Sequence, residues 1–67
     1  MFKVRGRSRW SNGDTIAVYW ALRDDTAPEG VSFGEGPATL FTLLEANQAC
    51  AALSGSMPQL DWEVRNA

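Results

Sequence analysis

Every second residue from Lys3 to Arg9 is basic, and the residues between them are apolar or small. Successive side chains of an extended strand point to opposite faces, so this period of two predicts a β-strand. One face carries Phe2, Val4, Gly6, Ser8 and Trp10, and the other carries Lys3, Arg5, Arg7 and Arg9. The chain therefore begins with a strand whose two faces differ in charge.

A second strand is predicted over residues 15–23, which are rich in β-branched and aromatic side chains. The intervening Ser11-Asn12-Gly13 is typical of a hairpin turn. A two-residue turn would pair Arg7 with Val18 and mix the basic row with the apolar one. A three-residue turn instead sets Gly6 opposite Val18, so we favour it. In that register Tyr19 lies on the basic face, and the core face of the strand carries Ile16, Val18, Trp20 and Leu22.

Residues 24–37 contain three of the six glycines and two of the three prolines, which predicts mostly loop. A structureless connection of this length is uncommon in a compact domain. We therefore expect a short third strand through either residues 31–33 or residues 38–41.

A helix is indicated by Thr42-Leu43-Leu44-Glu45, which has the pattern of a capping box. The helix should begin at Leu43, because a start at Pro37 would turn Phe41 to the polar side. Its apolar stripe is predicted to contain Leu43, Ala46, Cys50 and Leu53, and Ser54-Gly55 is expected to end it. Because it lies on this stripe, Cys50 is predicted to be a packed thiol. The chain has no histidine that could activate it as a nucleophile.

The last element, residues 60–65, alternates again and predicts a closing strand. A helix that crosses back over the sheet would lay this strand beside the first, where Asp61 and Glu63 would neutralise part of the basic row. The expected fold is a small α+β domain spanning residues 1–67, with an antiparallel or mixed sheet and one helix packed on one face. The predicted core is Val4, Ile16, Val18, Trp20, Leu22, Leu43, Ala46, Cys50, Leu53, Leu60, Trp62 and Val64.

Composition limits the classes of function. A chain of 67 residues buries only about 60% of its unfolded surface, so its core is small and either a monomer or a homodimer is plausible. The chain has one cysteine, no histidine and no apolar run of membrane-spanning length, which argues against a zinc site, a cofactor, a disulfide framework and a membrane span. The amino-terminal residues lack the apolar stretch of a secretory signal, so we expect a cytoplasmic protein. The sequence carries no catalytic signature, so we expect it to be non-enzymatic.

The formal charge is −2, but the charges are segregated along the sequence. The loop has four acids and no base, and we take it as a partner-binding segment composed of Asp24, Asp25, Glu29 and Glu35. Its adjacent aspartates lack the spacing of a calcium loop, so no metal is expected. An alternative binding face consists of Lys3, Arg5, Arg7, Arg9, Tyr19 and Trp10, which would hold phosphates and stack on bases. Trp10 itself is read either as a cover over the edge of the core or as an exposed interface anchor.

The order of elements, with Phe41-Thr42-Leu43-Leu44-Glu45-Ala46, Leu53 and Leu60-Asp61-Trp62-Glu63-Val64, resembles that of small bacteriophage-encoded proteins, including anti-CRISPR proteins. The resemblance implies a phage or mobile-element inhibitor that acts in the bacterial cytoplasm. Its partner would be a host protein or ribonucleoprotein such as a CRISPR effector, bound so that nucleic acid is kept out. The acidic loop fits that role, and direct binding of nucleic acid by the basic face is the alternative.

Overall fold

The computed structural model describes residues 1–8 and 18–67. These residues form the elements β1 (Phe2–Ser8), β2 (Val18–Arg23), β3 (Val31–Gly34), α1 (Leu43–Ser56) and β4 (Leu60–Asn66). The strands make one sheet in the order β3-β2-β1-β4, and each neighbouring pair is antiparallel. Helix α1 packs on one face of this sheet, which confirms the predicted α+β fold.

Strand β4 lies beside β1, as predicted. Val4 stands opposite Val64 and Gly6 opposite Trp62, so the apolar sides of the two strands face the helix together. The other side of the same pair brings Arg5 opposite Glu63. The alternating patterns of the first and last strands therefore agree with each other across the sheet.

The register between β1 and β2 is the one that the turn argument rejected. Arg7 lies opposite Val18 and Arg5 opposite Trp20, so the side chains of Val18, Trp20 and Leu22 share the face of the basic row. The helix face of β2 instead carries Ala21, which is fully buried. The physical reason is size, because the helix approaches the sheet closely over Ala21 with its own small residues Ala46 and Ala49.

The buried core is Val4, Ala21, Phe41, Ala46, Ala49, Leu53 and Leu60, with Phe2, Val31, Cys50, Trp62 and Val64 packed against it. The expected core positions Val18, Trp20 and Leu22 were wrong, because the register turns them to the other face. Leu43 was also wrong, since 52% of it is exposed. The predicted core position Ile16 lies outside the described residues.

Helix α1 begins at Leu43, as the capping box predicted. The Thr42 hydroxyl accepts a hydrogen bond from the Glu45 backbone N–H at 3.2 Å, and the Glu45 carboxylate accepts one from the Thr42 N–H at 3.0 Å. The helix continues to Ser56, beyond the predicted stop at Ser54-Gly55. Its buried side is formed by Ala46, Ala49 and Leu53, which leaves Leu43 and Leu44 outside it.

The third strand is Val31–Gly34, which agrees with the first of the two expected positions. Residues 38–41 instead bridge the ends of β1 and β2. Phe41 exchanges two backbone hydrogen bonds with Phe2, of 2.7 and 2.8 Å, and the Thr39 N–H donates to the Ala21 carbonyl at 3.3 Å. This bridging segment places the buried Phe41 immediately before Thr42, the N-cap of the helix.

Candidate functional site

The face of the sheet opposite the helix, here the helix-free face, combines charged and apolar rows. Strand β1 supplies bases, β2 supplies apolar side chains and β4 supplies both acids and a base. Its members on β1, β2 and β4 are Lys3, Arg5, Arg7, Val18, Trp20, Leu22, Asp61, Glu63 and Arg65. Two residues of the predicted basic binding face, Arg9 and Trp10, lie outside the described residues.

Arg5 and Glu63 form an ion pair on this face. The Arg5 Nε donates to Glu63 Oε1 at 2.9 Å, and its Nη2 contacts the same oxygen. Arg65 Nη1 lies 3.4 Å from that oxygen as well. The hydrogen bond from Arg5, the largest influence, together with Arg65 holds the pKa of Glu63 below its ordinary value. The predicted neutralisation of the basic row by β4 is therefore confirmed at Arg5.

Trp20 occupies the helix-free face where Tyr19 was expected. The Lys3 Nζ lies 4.8 Å from the centre of a Trp20 ring, a cation–π arrangement. Tyr19 lies on the opposite face, because the observed register pairs it with Gly6, and its ring meets the Phe33 ring edge-on at 5.7 Å. The aromatic side chain beside the bases is thus a tryptophan that already has a cation over it.

The acids between β2 and β3 belong to a turn ordered by its own hydrogen bonds. Asp24 Oδ1 accepts from the Thr26 N–H at 2.9 Å and from the Thr26 hydroxyl at 2.6 Å. The Asp24 N–H donates to the Gly30 carbonyl at 3.0 Å and closes the turn. The Thr26 hydroxyl is the largest cause that holds the pKa of Asp24 below its ordinary value, followed by the Thr26 N–H. The same hydrogen bonds therefore hold the shape of the turn and favour the charged form of Asp24.

The four predicted acidic residues do not form one cluster. Asp24, Asp25 and Glu29 lie in the turn before β3, and Asp25 and Glu29 are exposed. Glu35 follows β3 and is separated from the turn by the length of that four-residue strand, about 13 Å. We call the first three residues the acidic turn.

The base nearest to the acidic turn along the chain is directed elsewhere. Arg23 Nη2 lies 3.2 Å from Glu45 Oε2, and its guanidinium sits 5.4 Å from the centre of the Phe41 ring. A cleft of about 150 Å³ lies beside this pair and is also lined by Glu29 and Gln48. Proteins usually bind drug-sized ligands in pockets of about 300 Å³ or more, so this cleft is small for that purpose.

Sequence reasoning missed Trp20 as a member of the helix-free face, together with Val18 and Leu22 of the same strand. Both sides of β2 are apolar, with Val18, Trp20 and Leu22 on one and Tyr19 and Ala21 on the other, so alternation alone did not distinguish them. The available signal was the small size of Ala21, which matches the small residues Ala46 and Ala49 on the helix. Close packing of helix and sheet favours small side chains on both partners.

Within residues 1–8 and 18–67, no three acidic or thiol side chains are grouped so as to hold a metal ion. The helix of this described part is too short and too polar to cross a membrane. No protein-family model, no curated protein and no solved structure matches the chain.

Proposed function

We propose that this chain is a non-enzymatic inhibitor of the kind encoded by phages and mobile elements, which binds a host nucleoprotein complex in the bacterial cytoplasm and blocks access of nucleic acid. The acidic turn is the contact in this proposal. The observation that carries it is the hydrogen bonding of Asp24 to Thr26 and Gly30, which orders the turn on which Asp25 and Glu29 are exposed.

Charge favours a basic protein surface as the target. The acidic turn carries three negative charges, and Arg23 is engaged by Glu45 instead of them. Grooves that bind nucleic acid are lined with Lys and Arg, so they attract such a turn. The bound turn would then compete with nucleic acid for the groove. Because the turn is already ordered, less conformational entropy is lost on binding.

The proposal is tested with purified RNA-guided effector complexes whose binding to a labelled nucleic-acid target is measured with and without this protein. We expect the wild-type protein to reduce target binding by at least one effector. Asp25→Lys combined with Glu29→Lys should weaken that inhibition at least about tenfold, since it places lysine side chains against the basic side chains of the target.

Glu35→Lys is the control, because it reverses a charge of the same kind at the other end of β3, although it changes the net charge half as much as the double variant does. It should retain inhibition. Equal inhibition by the Asp25→Lys, Glu29→Lys protein and the wild type would remove the acidic turn from the mechanism. Absence of inhibition and of binding across effectors of different types would contradict the proposed function itself.

One observation favours a second candidate function, the binding of single-stranded nucleic acid by the helix-free face. Trp20 shares this face with Lys3, Arg5 and Arg7. An aromatic ring that stacks on nucleobases beside cationic side chains that contact phosphates is typical of single-strand binding. Two contacts weigh against it, because Glu63 neutralises Arg5 and Lys3 covers a Trp20 ring. Fluorescence anisotropy with labelled single strands at low salt decides the matter, since absence of binding there would eliminate this candidate.

A further inference from the structure

Strand β4 is a long edge of the sheet. It pairs with β1 on one side, and no described strand lies on its other side. The Ala67 N–H donates to the Met1 carbonyl at 3.1 Å, so the odd-numbered residues of β4 direct their peptide groups to β1. The even-numbered residues Trp62, Val64 and Asn66 consequently direct their N–H and C=O groups to the open edge. Such an edge can be extended by another strand.

We infer that this edge pairs with β4 of a second copy of the chain, antiparallel about a two-fold axis, to make a dimer with one continuous sheet. The inference goes beyond the proposed function and does not depend on it. Two-fold pairing of identical edge strands leaves the two helices on the same side of the joined sheet. The reason is that residues directly opposite each other in the two copies have side chains on the same face of the sheet.

The charged residues of β4 favour one of the registers that this symmetry allows. A register centred on Glu63 pairs Asp61 with Arg65 of the second copy but sets Glu63 against Glu63 on the axis. One centred on Trp62 sets Asp61 against Glu63, twice. Like charges directly opposite each other are destabilising. A register centred on Val64 instead sets Glu63 against Arg65 of the second copy, twice. Of these three registers, only the last pairs opposite charges without also setting like charges against each other.

The same register matches the other face of β4. Val64 meets Val64 of the second copy on the axis, as a β-branched pair of half-buried side chains, and their outward peptide groups bond to each other. Trp62 then pairs with Asn66 of the second copy. A second copy thus satisfies both the backbone groups and the charges of this edge.

Strand β3, the other edge of the described sheet, is less suited to such pairing. It has four residues, whereas β4 has seven. Short edge strands are one way in which proteins avoid extension of a sheet. The inference therefore concerns β4 alone.

The first variant tests the charge pairing. Arg65→Glu loses the contact of Arg65 with Glu63 within the chain, but residue 65 lies opposite Lys3, so the change also replaces a like-charge pair with an opposite one. The chain should therefore stay folded, which circular dichroism checks. In the dimer the new carboxylate at position 65 stands against Glu63 of the second copy, twice. We expect the dissociation constant of the dimer, measured by sedimentation equilibrium, to rise at least about tenfold, whereas the matched variant Arg65→Lys should stay within about threefold of wild type.

The second variant tests the backbone pairing. Val64→Pro removes an N–H that points to the open edge, where proline is tolerated in strands, and it blocks the approach of another strand. Circular dichroism checks that the chain remains folded, and Val64→Thr keeps the N–H as a control. We expect Val64→Pro to be a folded monomer and Val64→Thr to remain dimeric.

A wild-type chain that stays monomeric at concentrations on the order of 1 mM would overturn the inference. So would dimers of unchanged affinity in both Arg65→Glu and folded Val64→Pro. If Val64→Pro fails to fold, Arg65→Glu decides the result on its own. None of these measurements involves an effector complex, so a failure here is distinct from a failure of the proposed function.

Discussion

The ring of Trp62 lies directly over Gly6, its partner across β1 and β4. A Cβ atom on residue 6 would stand 2.6 Å from Trp62 Cζ3 and 2.7 Å from Cε3. The ring is held there at its other end, because Trp62 Nε1 donates to the Met57 carbonyl at 3.1 Å. The glycine thus leaves room for a tryptophan that links the sheet to the end of the helix.

Gly6→Ala should destabilise the protein by about 1–3 kcal/mol, because the added methyl group overlaps a rigid ring that is fixed by a hydrogen bond. Urea denaturation followed by circular dichroism measures the change. Gly55→Ala is the control, since a Cβ there meets nothing within 4 Å and residue 55 is helical. It should stabilise the protein by about 0.5–1 kcal/mol. A Gly6→Ala variant as stable as wild type would show that the ring moves aside freely.

The sequence predicted the elements of this fold well where a local signal exists. The capping box of Thr42 and Glu45 located the start of the helix, because both of its hydrogen bonds are formed by residues three apart. The alternation of β1 and of β4 was read correctly, since one side of each strand is charged. Their pairing then followed from the expectation that the helix crosses back over the sheet and returns the last strand beside the first.

The register of β2 could not be read in the same way. Val18 and Trp20 are larger and more apolar than Ala21, so transfer free energy alone assigns them to the core. The helix needs a small residue beneath it, and that requirement belongs to the packing of two elements distant in sequence. The same error placed Tyr19 rather than Trp20 beside the bases. The separation of Glu35 from the acidic turn likewise depends on β3, whose position the loop sequence left open.

The capping box makes a measurable contribution to the helix. Thr42→Ala removes the side-chain acceptor for the Glu45 N–H and should lower the free energy of unfolding by about 0.5–2 kcal/mol. Thr42→Ser keeps that acceptor and should change it by no more than a few tenths of a kcal/mol. Urea denaturation of the three proteins side by side makes the comparison. Equal stability of the alanine and serine variants would mean that water replaces the cap without loss.

Two leucines that the sequence placed on one stripe should respond differently to truncation. Leu53 is 2% exposed and contacts the core, so Leu53→Ala should lose about 2–5 kcal/mol and in a chain this small comes close to unfolding it. Leu43 is 52% exposed, and Leu43→Ala should lose less than about 1 kcal/mol. Thermal denaturation distinguishes them. A similar loss at both positions would restore the predicted stripe and contradict the observed orientation of the helix.

The ion pair between Arg5 and Glu63 predicts how stability depends on pH. Because Arg5 holds the pKa of folded Glu63 below its ordinary value of 4.5, the unfolded chain binds a proton at Glu63 more readily than the folded one. The contribution of Glu63 is therefore fully present above about pH 5 and is lost as the pH falls through the folded pKa. Asp24 and Glu45 also have lowered pKa values, so wild-type stability should decline on acidification at several sites.

Glu63→Gln isolates the share of this residue. The difference in unfolding free energy between wild type and Glu63→Gln should be greatest at neutral pH and should shrink steadily below pH 4.5, the ordinary value for this carboxyl group. In an Arg5→Gln background the same substitution should have much less effect at neutral pH, because the main cause of the shift is gone. Urea denaturation of the four proteins between about pH 3 and pH 7 completes this double-mutant cycle. A difference that is constant across that range would mean that the proximity of Arg5 and Glu63 is not coupled to folding.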